Sequence, residues 1–380
     1  MLEFRITTFG LHLILPIGPL SWTETRRIGA ESSNESLLSP LLLLKSEGVR
    51  RHVKKYKVEE GYFFKTKGVN RRIDLQMESA VVSADVQIRL FTFSRLNYGI
   101  LQLLILPTGS NGFNPDQLAG YLLRAYYKAQ NSNSGSSGET MRTPLQTIVE
   151  EFLKSFSLST ELVASALENL PYPILTISEY EPSELNPQEI AVKFKREVFG
   201  LMVHPSYGMA KISEDVVVKE MPHNYFYSDL VYQDFHLRGA IMLYNSSDGF
   251  EEGLASRYES EFLRSLIYAR LLWYTYQSIV SARANLRGLR RRLGAAFKHQ
   301  RRNLTTIYYL SSIQYSESSK VYRDIASDAM NLFGTTKGID EVARLIDSIF
   351  QDNFQFRIEL IGGVIAVLAA ILGIIYHFHL

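Results

Sequence analysis

The last 21 residues constrain this chain more than any other stretch. Residues 360–380 contain no Asp, Glu, Lys or Arg, and 360–376 read Leu-Ile-Gly-Gly-Val-Ile-Ala-Val-Leu-Ala-Ala-Ile-Leu-Gly-Ile-Ile-Tyr. As a helix, 21 residues rise about 31 Å, the thickness of a bilayer's hydrocarbon core. The expectation is a single transmembrane helix acting as a tail anchor. Arg357 lies just before the span, and only His377 and His379 are ionisable beyond it. The positive-inside rule then keeps the N-terminal bulk cytoplasmic, at a cell membrane. Tyr376 and Phe378 suit the interface. His377 and His379 would point to different faces of a fraying helix end, which favours snorkelling over metal binding.

Within the span, Gly362, Ala366, Ala369 and Gly373 are spaced 4, 3 and 4, with Tyr376 continuing the series. Small residues in phase let helices approach closely, so this seam predicts a homo-oligomer packed at these positions. The N-terminus resembles a signal peptide only superficially. Glu3 precedes the apolar run, Pro16 and Pro19 interrupt it, and 2–15 reads as a strand.

At 380 residues the chain has room for two or three structural units. The hydrophobic fraction of 46% and charged fraction of 21% are those of a folded chain, and exclude disorder. No cysteine is present, which excludes disulfide frameworks, thiolate metal sites and a cysteine nucleophile. The expected fold is an α+β or α/β cytosolic domain over 1–250, a helical stalk with coiled-coil character over 251–356, and the anchor over 357–380. Strands are expected at 61–65, 72–77, 86–93, 100–106, 174–178 and 191–203, with a strand pair in 229–244. Helices are expected at 114–129, where Asn114-Pro115 gives a cap and a first-turn proline, and at 144–170. The Gly/Ser-rich stretch 130–143 reads as a flexible loop. Strand, then Ser-Asn/Asp-Gly-Phe, then helix occurs at 100–113 and again at 239–250. That repeat suggests two related β–α half-units, with chance turns as the alternative.

The net charge of +2 conceals an asymmetry. Between Glu261 and Glu317 lie 55 residues with ten basic groups and no acid, leaving 31 basic against 39 acidic residues elsewhere. Arg283, Arg287, Arg290, Arg291, Lys298, Arg301 and Arg302 fall within about 120° of a helical wheel, beside an apolar arc of about 80°. This basic helix, 283–302, is a candidate for anionic lipid headgroups, for a small phosphate-bearing ligand, or for an acidic surface of another subunit. A solvated stalk face is the plain alternative. Nucleic acid ranks last, because no binding motif accompanies the charge.

No phosphate loop, dinucleotide fingerprint, zinc-protease motif or nucleophile elbow occurs. No catalytic set, metal or cofactor is nominated, and an enzyme is not the favoured reading. His12, His52, His204, His223, His236 and His299 are scattered and read as structural or surface residues. The order of parts, and the run Ile371-Leu372-Gly373-Ile374-Ile375-Tyr376 within 353–376, resemble the CorA-type ion-transporter superfamily. The likeness covers organisation over about the last 130 residues. Where that family has its Gly-Met-Asn signature this chain has His377-Phe378-His379, and it has one membrane helix where the family has two. The resemblance implies an oligomeric membrane assembly with a sensing cytosolic domain. The functional expectation is a pore-like effector or transporter relative; a membrane-anchored scaffold and a membrane-bound enzyme are the alternatives.

Overall fold

The computed structural model describes residues 3–18, 20–21, 23–24, 27–28, 32–33, 63–66, 69–76, 81–93, 99–108, 112–119, 143–203, 212–221, 225–228, 230–245, helical positions between 259 and 277, 320–334 and 358–371. The expected basic helix 283–302 and all of the expected loop 130–143 except Thr143 lie outside them.

Ten strands form one sheet among the described residues. They are β1 (Arg5–Ile17), β2 (Ser32–Ser33), β3 (Phe63–Thr66), β4 (Val69–Gln76), β5 (Val81–Phe93), β6 (Gly99–Pro107), β7 (Tyr172–Glu181), β8 (Tyr225–Ser228), β9 (Val231–Phe235) and β10 (Ala240–Tyr244). The order is β2-β3-β5-β6-β1-β7-β10-β9-β8, with β4 also paired to β5. All pairs are antiparallel except β7–β10. The fold class is therefore α+β.

β1 sits at the sheet's centre and is covered on both faces. That explains why its sequence is a near-continuous apolar run and not an alternating one. Leu11, Leu13, Leu15 and Ile17 join the first core, together with Leu175 and Ile177 of β7 and Ile241 and Leu243 of β10. Among the described residues five helices contribute to that core, α1 (Pro144–Ser155), α2 (Thr160–Glu168), α3 (Pro187–Lys193), α4 (Lys195–Val203) and α5 (Glu214–Glu220), beside Leu118 and Ala119 of the helical stretch 115–119. Thr143 caps α1 through a reciprocal box with Gln146, which fits the polar-to-apolar switch there.

Residues 191–203 are helical and not a strand. Asn186 accepts from Glu189 N at 2.8 Å while Glu189 Oε2 accepts from Asn186 N at 2.9 Å. With Pro187 in the first turn, this box commits the chain to helix before the apolar run begins. Ile190, Ala191, Phe194, Val198 and Leu201 are then buried at spacings of one, three or four. That is a helical stripe, not alternation.

The second of the two Ser-Asn/Asp-Gly-Phe motifs, 247–250, lies outside the described residues, and only the strands before the motifs can be compared. β6 runs antiparallel to β1, whereas β10 runs parallel to β7. In the first motif Gly112 adopts φ +84°, a left-handed conformation suited to glycine. Phe113 then bridges Ile6 through paired backbone bonds of 2.7 and 3.0 Å.

The sheet's second face buries Ile14, Ile100, Ile174 and Met242. Helical side chains Phe262, Leu266 and Ala269 are fully buried, as are Ile325 and Ala329 of α6 (Lys320–Leu332). The helical segment thus begins as part of the folded domain. Residues 358–371 form a further helix. Among the described residues no helix is long and apolar enough to cross a membrane; 372–380 lie outside them.

Candidate functional site

Two polar fastenings hold the helical segment to the second face. Glu259, Leu263, Leu266 and Arg270 are spaced 4, 3 and 4, one line along a helix. Glu259 and Arg270 are its polar members.

At Glu259, three strands contribute. His12 of β1 is 2% exposed, and its Nε2 lies 2.8 Å from Glu259 Oε1. The Gln102 amide of β6 donates to His12 Nδ1 at 2.9 Å, so the ring proton sits on Nε2, facing the carboxylate. Thr176 of β7 turns its hydroxyl between Gly10 O at 3.2 Å and Glu259 Oε1 at 3.4 Å. Gly10 makes this crowding feasible, since a Cβ there would stand 3.0 Å from Thr176 Oγ1. Both ring nitrogens are engaged and the ring is buried, so the cluster clamps a helix and does not present a base to a substrate.

At Arg270, the guanidinium lies 4.0 Å from the Tyr172 ring centroid and 3.9 Å from that of Phe333. Its Nη2 donates to Leu237 O at 2.6 Å. Tyr172 donates to His236 O at 2.9 Å, so the ring cannot swing away without losing a bond. One cation thereby ties the β9–β10 turn, β7 and the end of α6 together. Burial pushes the Tyr172 and Tyr274 hydroxyls upward, opposed by the neighbouring guanidinium, and both stay neutral. Arg270 Nε has no hydrogen-bond partner among the described residues. Arginine suits this place because a flat, weakly hydrated cation stacks on rings at lower desolvation cost than an ammonium.

On the first face, Tyr232 donates to Asp234 Oδ2 at 3.0 Å, and Phe235 N donates to Oδ1 at 2.8 Å. Burial pushes the Asp234 carboxyl up to about 7 despite these two donors. Burial and the adjacent carboxylate both raise Tyr232. Beside this pair lies a cleft of about 210 Å³, lined by Ala191, Val192, Lys195, Val217, Val218, Met221 and Tyr232.

Of the residues nominated from sequence, Gly362, Ala366 and Ala369 lie on helix 358–371 and are exposed. Gly373 lies outside the described residues, as do Arg283, Arg287, Arg290, Arg291, Lys298, Arg301 and Arg302. Nothing stands within 4 Å of a Cβ built at Gly362 or Gly363. Ile361, Val364, Ile365, Val367 and Leu368 are each 53–60% exposed. The structure adds Glu259, Arg270 and Asp234 and gives His12, read from sequence as structural or surface, a buried place beside Glu259. For Arg270 a signal existed: it follows Leu266 by four residues and Phe262 by eight, on the buried stripe. Among the described residues no group of three or more metal-ligating side chains converges. Comparison of the chain with protein-family models, curated proteins and solved structures gives no match.

Proposed function

We propose that this chain is an oligomeric single-pass membrane protein, anchored by residues 360–380, whose cytosolic α+β domain recognises a ligand or partner and acts through the helical segment on the membrane helix. One observation carries the reading. On helix 358–371, eight bulky apolar side chains, from Ile358 to Ile371, are 47–60% exposed, on every side of the helix. Burying such a side chain contributes about 1.5–3 kcal/mol, so roughly 10 kcal/mol of burial is left for lipid or neighbouring helices to supply. A helix apolar all round belongs in a core or a bilayer.

Support for transmission comes from the two fastenings. Glu259 and Arg270 join strands β1 and β7 and the β9–β10 turn to the segment that runs toward the anchor. A change of sheet geometry on binding would therefore reach the helices through buried polar contacts that break discretely. The basic block 283–302 supplies a surface for anionic headgroups or a phosphate-bearing ligand. The CorA-like order of parts agrees with an oligomeric assembly of this kind.

Deleting 360–380 tests the reading. The shortened chain is expected in the soluble fraction with the near-ultraviolet circular dichroism of the folded domain, and with a lower oligomeric state than the full chain in detergent. A shortened chain that stayed in the membrane fraction, or kept its full stoichiometry, would overturn it.

A further inference from the structure

The cleft beside Tyr232 is walled by α3, α4, α5 and β9. Among the described lining residues the side chains are apolar except for Lys195 and the Tyr232 hydroxyl. That hydroxyl is turned into the protein, donating to Asp234 at 3.0 Å. Tyr232 is 1% exposed and its hydroxyl is committed to Asp234, so it offers the cleft no donor. Lys195 opens α4 and is exposed. No ion pair of Lys195 occurs among the described residues.

The rim is unusual for a water-facing surface. Val192 is 57% exposed and Val218 63% exposed, on facing helices α3 and α5. A surface without use for a cleft seldom places bare valines on both lips. At about 210 Å³ the space exceeds the roughly 150 Å³ that holds a benzene ring in an apolar cavity. A chain of about six carbons, or a single ring, fits at that scale.

We propose that this cleft binds a small amphipathic monocarboxylate, an aliphatic or aromatic acid of about six to eight carbons. Its apolar part lies between Val192, Val217, Val218 and Met221, against the Tyr232 ring, and its carboxylate meets the Lys195 ammonium at the mouth. The preference for an anion follows from the lining, because Lys195 is the one charged side chain among the described lining residues and it is cationic. A cationic amphiphile would meet like charge there. The proposal rests on reading the α+β domain as the recognising part, and names the class of ligand. It does not depend on the anchor.

The test uses the full chain in lipid nanodiscs, with empty nanodiscs as the reference for partition into lipid. Ligand-observed NMR is run with hexanoate, 1-hexanol and hexylamine. Hexanoate is expected to bind saturably, about two- to fivefold tighter than 1-hexanol, which is the range an exposed charge contact provides. Hexylamine should bind weakest. Lys195→Glu should reverse the order of the two charged probes. Val218→Trp, at an exposed position that does not threaten folding, should close the mouth and abolish binding of all three. The proposal is overturned if hexanoate shows no saturable binding beyond empty nanodiscs. It is also overturned if hexanoate and hexylamine bind equally, or if neither variant changes the result. Resistance of the same preparation to alkaline extraction reports on anchoring separately, so the two readings fail independently.

Discussion

Arg270 shows what a single residue does in this fold, and why its role is hard to read from a sequence. Counted along the chain, it is one of ten cations in an acid-free stretch. In the structure it is 8% exposed, held between two rings and bonded to a backbone carbonyl. The helical spacing places it on the buried stripe. Nothing local reveals that Tyr172 and Phe333, far apart in the chain, would converge on it. Arg270→Ala is expected to cost about 2–3 kcal/mol, the sum of a desolvated cation–π contact and a hydrogen bond to a charged donor. Arg270→Lys should recover only part of this, since an ammonium cannot stack flat between rings. Urea denaturation of both variants gives the comparison. Asp234 offers a second residue-scale prediction. Burial raises its carboxyl from an ordinary value near 3.8 to about 7, so the folded chain holds a proton that the unfolded chain releases. The stability from this group is complete below the unfolded value and is lost as pH rises through 7. Thermal melts should thus show a component that strengthens as pH falls from 8 to 5, on the order of a few kcal/mol. In Asp234→Asn that component should vanish; a variant that kept the wild-type slope would remove Asp234 as its source.

Among the elements, those with strong local signals follow the sequence closely. β1, β5, β6 and β7 lie where apolar strands were expected, and the β9–β10 pair fills 231–244. The error at 191–203 has a physical origin: short apolar runs suit strand and helix alike, and the deciding Asn186–Glu189 box lies upstream of the run. The turn between β9 and β10 depends on a contact that sequence cannot show. A Cβ at Gly239 would lie 2.5 Å from Met202 O and 3.1 Å from Pro173 O, so α4 and β7 both press on this glycine. Gly239→Ala should destabilise the domain by about 1–3 kcal/mol through forced backbone shifts, read by chemical denaturation. The proposed membrane helix carries a different kind of prediction. Leucine at Gly362, Ala366, Ala369 and Gly373 together should push packed helices apart and lower or change the stoichiometry seen by native mass spectrometry. An unchanged stoichiometry would mean that the seam does not make the interface.

For the whole molecule, the sequence conveyed where most of the strands lie more than how they are arranged. The central pairing of β1 with β7, across more than 150 residues, is set by burial on both faces and leaves no local trace. The helical segment read as a stalk, yet its first stretch supplies Phe262, Leu266 and Ala269 to the second face. An apolar helical period looks the same whether its partner is another helix or a sheet. The candidate fastenings were opaque for the same reason, since His12, Gln102, Thr176 and Glu259 come from four separate elements. The expected anchor rests on hydropathy and absence of charge, which act locally; 358–371 is a helix with exposed apolar side chains, and 372–380 lie outside the described residues. Membrane integration is therefore the central claim. Its most direct measurement is alkaline carbonate extraction of membranes carrying the full-length chain. The account predicts that the chain stays in the membrane pellet under carbonate and is released only by detergent. Recovery of the intact, folded chain in the carbonate supernatant would contradict it.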